Sequence, residues 1–177
     1  MSRTDLLREL LRVTTSAREP AAREALAEAG VPLDCGSAWG FDYVEIDAYH
    51  YQPVPTGAPA VIVPHFEGGR LLDLVAVGLR SRSSRTLLGV CQVLGSDYLD
   101  HAREHHEPAR FYSDPIDWYA NGRAGAVIID WRAMRHELRD LPGIACDDYA
   151  TARWIDHALR EPVSMPPIFV REACHAS

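Results

Sequence analysis

The sequence predicts a mixed α/β, or α+β, single domain: a small central sheet containing a β-hairpin, an N-terminal helical hairpin, and C-terminal helices. Three observations carry this. A length of 177 residues fits one core of ordinary size. Hydrophobic residues at 47% and charged residues at 24% match soluble globular proteins rather than disordered or collagen-like chains. The apolar period is helical over 1–30, mostly strand-like over 41–130 with inserted helices, and 131–177 holds further helices and a tail, with no internal repeat or linker between these parts.

Leu6, Leu7, Leu10 and Leu11 form one helical stripe after a cap at Ser2 or Thr4. Ser16 and Glu19 have capping-box spacing, Pro20 suits a first turn, and Ala22, Ala25, Leu26 and Ala29 run to a stop at Gly30. From Phe41 the period becomes two, with Val44, Ile46 and Ala48 on one face and Tyr43, Glu45, Asp47, Tyr49 and Tyr51 on the other. Pro53, Pro55, Gly57 and Pro59 break the chain. Val61-Ile62-Val63 then runs to the turn signal Glu67-Gly68-Gly69 and returns through Leu71 to Val77, which reads as a hairpin. Thr86 to Leu94 reads as a third strand. Ser96 reads as the cap of a helix reaching His105, and Ser113-Asp114-Pro115 starts a short helix that stops at Asn121-Gly122. Ala126 to Ile129 is uniformly apolar and reads as a strand buried on both faces at the sheet centre. Met134 and Leu138 mark another helix, and Ala150, Trp154, Ile155, Ala158 and Leu159 mark a last one capped by Asp147. Ile168-Phe169-Val170 reads as a final strand.

Composition excludes several functions. All 18 basic residues are Arg, so Schiff-base chemistry and a Lys-containing phosphate loop are ruled out. A formal charge of -7 argues against nucleic acid as a bulk partner, because phosphate neutralisation dominates such binding. The first residues lack a signal-peptide core and no apolar run reaches membrane-spanning length, so a cytoplasmic protein without a membrane partner is expected. Cys35, Cys91, Cys146 and Cys174 form no CxxC pair, which removes a zinc ribbon or thioredoxin-like motif and leaves reduced, structural thiols.

The candidate sites are these. Asp97, His101 and His105 recur at i, i+4 along one helix face, with Glu104 and His106 beside them, and would hold a divalent metal if another element supplied a ligand. The same placement suits the helix dipole without any metal. Glu45 and Asp47 point to one face of a strand between Tyr43 and Tyr49, as a carboxylate pair for metal or acid–base work, or as a solvated strand face. Asp130 follows the buried strand at its carboxyl end, where ligands gather in open α/β sheets, although a helix cap is equally served there. Cys35 would be a nucleophile only with a His as base, and its surroundings match no cysteine-hydrolase signature. Arg80, Arg82 and Arg85, interleaved with Ser81, Ser83 and Ser84, form a donor loop for phosphate or a solvated turn. Trp118, Tyr119 and Trp131 concentrate aromatic area, and Trp118 would anchor a protein partner if exposed.

The hairpin Val61-Ile62-Val63-Pro64 with Gly69-Arg70-Leu71-Leu72-Asp73-Leu74, together with Ser113-Asp114-Pro115-Ile116-Asp117-Trp118 and Gly125-Ala126-Val127-Ile128-Ile129-Asp130-Trp131, resembles an uncharacterised group of proteobacterial proteins. These look like products of phages and integrated mobile elements, sometimes beside primase and helicase genes. The resemblance covers about the middle half of the chain and rests on packing residues, so it implies a shared fold and genomic setting and carries over no catalytic residue. The leading expectation is a binding or accessory domain that works through contacts with a protein or ligand. A metal-dependent hydrolase using the Asp/His or Asp/Glu groups is the alternative. A third reading is phosphate or nucleic-acid binding through Arg80, Arg82 and Arg85.

Overall fold

A computed structural model describes residues 3–31 and 39–160. Helices α1 (Arg3–Ser16) and α2 (Pro20–Glu28) precede β1 (Gly40–Ile46), β2 (Tyr51–Pro53), β3 (Ala58–Glu67), β4 (Arg70–Gly78), β5 (Ser84–Thr86) and β6 (Val93–Leu94). Then come α3 (Ser96–His105), β7 (Ala109–Phe111), α4 (Pro115–Ala120), β8 (Val127–Ile128), α5 (Trp131–Arg139), β9 (Ile144–Cys146) and α6 (Tyr149–Arg160). The result is a mixed α+β domain. No helix among the described residues is long and apolar enough to cross a membrane. Cys35, Cys174 and the expected strand at Ile168–Val170 lie outside the described residues.

The main sheet has the order β2-β1-β3-β4-β5, and all its pairings are antiparallel. Its spine is the predicted hairpin. Gly68 and Gly69 turn β3 into β4 at φ 53° and 73°, a left-handed pair that matches the twist of the flanking strands and that side-chain-bearing residues resist. Alternation along β3 and β4 sorts two cores. Ala60, Ile62, Leu74 and Ala76 pack with Leu6 and Val13 of α1, whereas Val61, Val63, Val75 and Val77 pack with Ala22 and Leu26 of α2. Both helices of the N-terminal pair are therefore present, and they divide between the two sheet faces. Arg12 fixes α1 to the sheet by bridging Glu9 and Asp42 of β1.

A second body of structure stands beside the sheet. Leu99 and Ala102 of α3, Phe111 of β7, Ile128 of β8, Met134 and Leu138 of α5, and Ile155 of α6 share one apolar cluster. Ala126, Val127 and Ile128 are buried as predicted and Ile129 is half-buried, but the run lies outside the main sheet, because among the described residues β8 pairs only with β6. Its two sides serve different cores: Val127 belongs to the sheet's cluster, and Ala126 and Ile128 to the helical one.

The expected third strand from Thr86 to Leu94 is also corrected, since only its ends are strand. The reason is Asp73, which has 0% exposure and whose carboxylate accepts the amides of Leu74 and Leu88 at 2.8 and 2.9 Å through one oxygen and those of Val90 and Cys91 at 2.8 and 3.1 Å through the other. These bonds replace ladder bonds and hold the segment as a loop.

Candidate functional site

The β-bulge at His65/Phe66 ends the regular part of β3 with an imidazole on the inward side of an otherwise apolar strand. His65 is only 8% exposed, lies opposite Asp73 in the sheet, and has no hydrogen-bond partner among the described residues. It borders a cleft of about 430 Å³ that is also lined by Phe66, Trp118, the first turn of α3 and Arg123. Burial lowers the imidazole below its ordinary value near 6.5, while Asp73, Glu67 and Asp97 pull it upward.

The first turn of α3 supplies donors. Its cap is Gly95, not Ser96 as the sequence suggests, and no side chain caps the helix. Gly95 has φ 84°, and a Cβ there would run into the carbonyl oxygen of Gly125, so a capping side chain cannot replace it. The leading amides of a helix have no carbonyl partner within it, and Ser96 and Asp97, the first two residues of α3, line this cleft at the positive end of the helix dipole.

Arg123 completes the wall from the α4–β8 turn. Its backbone sits at φ 62° and is held by a bond from its amide to the Trp118 carbonyl at 2.9 Å. The guanidinium lies 5.9 Å from the Tyr119 ring centroid and has no carboxylate partner among the described residues. Three separate elements thus place a buried imidazole, helix amides and a guanidinium around one space. Asp97 is the opposing charge on the lining, exposed in the first turn where the helix dipole favours it. Beside that single carboxylate stand the Arg123 guanidinium and the donor-capable groups of His65, Ser96 and Tyr98, a set able to take an anion.

The residues predicted from sequence fall elsewhere, with one exception. Asp97 lines this cleft, but His101 and His105 are exposed farther along α3. Their ring centroids lie 4.0 Å apart, and His105 Nδ1 is 2.9 Å from the His101 carbonyl oxygen. Among the described residues no three His, Cys, Asp or Glu side chains are grouped for a metal ion. Glu45 and Asp47 border a shared cleft of about 660 Å³, yet Asp47 stands beyond the end of β1. Its carboxylate accepts the amides of His50 and Tyr49 at 2.7 and 2.6 Å, which keeps it below the ordinary carboxylate value and builds the β1–β2 turn.

Asp130 takes its capping alternative, accepting the Arg132 and Ala133 amides at 2.9 and 3.3 Å at the start of α5. Arg80, Arg82 and Arg85 do not form one donor patch. Arg82 reaches the Ala29 carbonyl at 2.9 Å and Asp114 at 3.5 Å, Arg85 bonds the Ala48 carbonyl at 3.0 Å, and Arg80 is exposed. The alternation of short strand and turn sends these side chains in different directions. Trp118 is packed in the core at 7% exposure, its Nε1 donating to the Gly125 carbonyl at 2.8 Å, and so offers no exposed anchor. Cys91 is buried and its thiol is pushed up by that burial; Cys146 is partly buried and also free.

Sequence reasoning missed His65 and Arg123. The available signal was a lone polar residue at the inward phase of β3, following Val61 and Val63. Compared with protein-family models, curated proteins and solved structures, the chain matches none of them.

Proposed function

We propose that this protein is a binding domain for a small anionic ligand, held in the cleft between His65, the start of α3 and Arg123. The single observation that carries the reading is the convergence at His65: a largely buried imidazole, without a hydrogen-bond partner among the described residues, borders the same cleft as the first turn of α3 and Arg123. An anion in the cleft would accept hydrogen bonds from the imidazole N–H, the helix terminus and the guanidinium together. The cleft's volume is that of a small-molecule site, and a local site of this kind is compatible with the acidic chain as a whole. Action through contacts rather than turnover, inside the cell and in the phage or mobile-element setting that the middle segment's resemblance implies, belongs to the same proposal.

Isothermal titration with inorganic phosphate, against a matched chloride control, tests it. Saturable binding to the native protein is expected, weakened at least about tenfold by His65→Gln and by Arg123→Gln and unchanged by the His101→Ala/His105→Ala double variant. Binding that survives both single variants, or no saturable heat with phosphate, would overturn the reading.

A further inference from the structure

The second half of α3 carries an imidazole pair that the anion cleft does not use. His101 and His105 stand one helical turn apart, both exposed, with ring centroids 4.0 Å apart and ring planes tilted by 35°. A spacing of four residues puts both side chains on one face of the helix. Hydrogen bonding then sorts the nitrogens. His105 Nδ1 lies 2.9 Å from the His101 carbonyl oxygen, and a carbonyl only accepts, so the proton sits on Nδ1 and Nε2 keeps its lone pair. A ring N–H held by a backbone carbonyl is also what fixes the tautomer and orientation of histidines that ligate metals. Neither ring nitrogen of His101 has a hydrogen-bond partner among the described residues.

The surroundings favour a cation. His105 is the last residue of α3, where the closing carbonyls form the negative end of the helix dipole, and the same helix carries Asp97, Asp100 and Glu104. Its one arginine, Arg103, is already paired with Asp100 and with Glu137 of α5 at 2.8 and 2.7 Å. Among the described residues no third His, Cys, Asp or Glu side chain is placed to join the pair around an ion. An ion held there keeps water on its remaining positions, so the site is open and exchangeable rather than structural.

We propose that His101 and His105 chelate one divalent transition-metal ion of the nickel, copper or zinc class, through Nε2 of His105 and a ring nitrogen of His101. Imidazole nitrogen suits these ions, whereas magnesium and calcium take oxygen ligands. Exposure leaves both side chains free to make the small rotation that brings each nitrogen to about 2.1 Å from a shared ion. Once one ring holds the ion, the helix keeps the second at high effective concentration, so the pair binds more tightly than either ring alone. This inference is independent of the anion site, whose lining includes neither histidine.

The test is calorimetric titration of the full chain with nickel chloride, against magnesium chloride as the control, at one fixed pH and ionic strength. The expected result is saturable nickel binding without a magnesium response, weakened at least about tenfold in His101→Gln and in His105→Gln, whose exposed positions leave the fold intact. The double variant Asp100→His/His101→Ala is the spacing control. It keeps the number of imidazoles but sets the pair five residues apart, off a shared face, and should bind as weakly as the single variants. No saturable nickel binding, or binding equal to the native protein's in either single variant or in the spacing control, would overturn the proposal.

Discussion

The loop between Leu87 and Gln92 is predicted to depend on a single buried carboxylate, and Asp73→Asn changes little in shape while testing that dependence. The aspartate oxygens each receive two amides, Leu74 and Leu88 on one and Val90 and Cys91 on the other. An asparagine keeps one acceptor oxygen and turns an NH2 group toward the remaining pair, so one buried and one part-buried amide lose their acceptor whichever way the side chain flips. A buried donor left unsatisfied costs about 1–3 kcal/mol, giving at most about 2–6 kcal/mol for two. Removing a fully buried charge returns part of this, leaving a loss of about 3 kcal/mol. At roughly 2–4 °C per kcal/mol for a chain of this length, the melting temperature should fall by about 6–12 °C. Urea unfolding followed by tryptophan fluorescence gives the free energy, and native-state hydrogen exchange locates it. The amides of Val90, Cys91 or Leu88 should exchange faster while those of β3 lose only the global difference. A loss under about 1 kcal/mol, or unchanged protection of all these loop amides, would refute the reasoning.

Three further outcomes are expected. Gly40→Ala should destabilise strongly, because the new Cβ would overlap Val13 where α1 crosses β1, and differential scanning calorimetry would show a lowered melting temperature. Asp114→Ala should cost about 1–2 kcal/mol in urea unfolding, since its carboxylate caps α4 through the Ile116 and Asp117 amides at 2.7 and 3.1 Å. The pH dependence follows from His65, whose folded value lies below the ordinary 6.5. The unfolded chain then binds the extra proton first as pH drops. His65's contribution is therefore full above about 6.5 and is lost as pH falls through its lower folded value. Urea midpoints at about pH 7.5 and about pH 5.5 should differ less in His65→Gln than in the native protein; an identical difference would contradict the assignment.

The local elements were legible where a short-range rule governs them. The Gly68-Gly69 hairpin, the Asp114-Pro115 helix start and the stripe of α6 all follow from neighbours in sequence. What sequence could not supply depends on distant partners. Asp73 reaches across 18 residues to Cys91 and turns an apparent strand into a loop. The parallel pairing of β7 with β9 joins Ala109 to Ile144, and nothing local in either segment announces it. For the sites, helical spacing correctly placed Asp97, His101 and His105 along one helix, but convergence is decided by what faces that helix. Only Asp97 lies at the end that meets His65, and that imidazole was hidden in the alternation of β3.

The central claim is that one cleft joins His65, the leading amides of α3 and Arg123 around an anion. A heteronuclear correlation spectrum recorded during titration with inorganic phosphate addresses all three at once. The account predicts that the Ser96 and Asp97 amides, the His65 imidazole and the Arg123 guanidinium shift together along one saturating curve. Shifts that leave these groups still, or that spread over the exposed arginines without saturating, would contradict it.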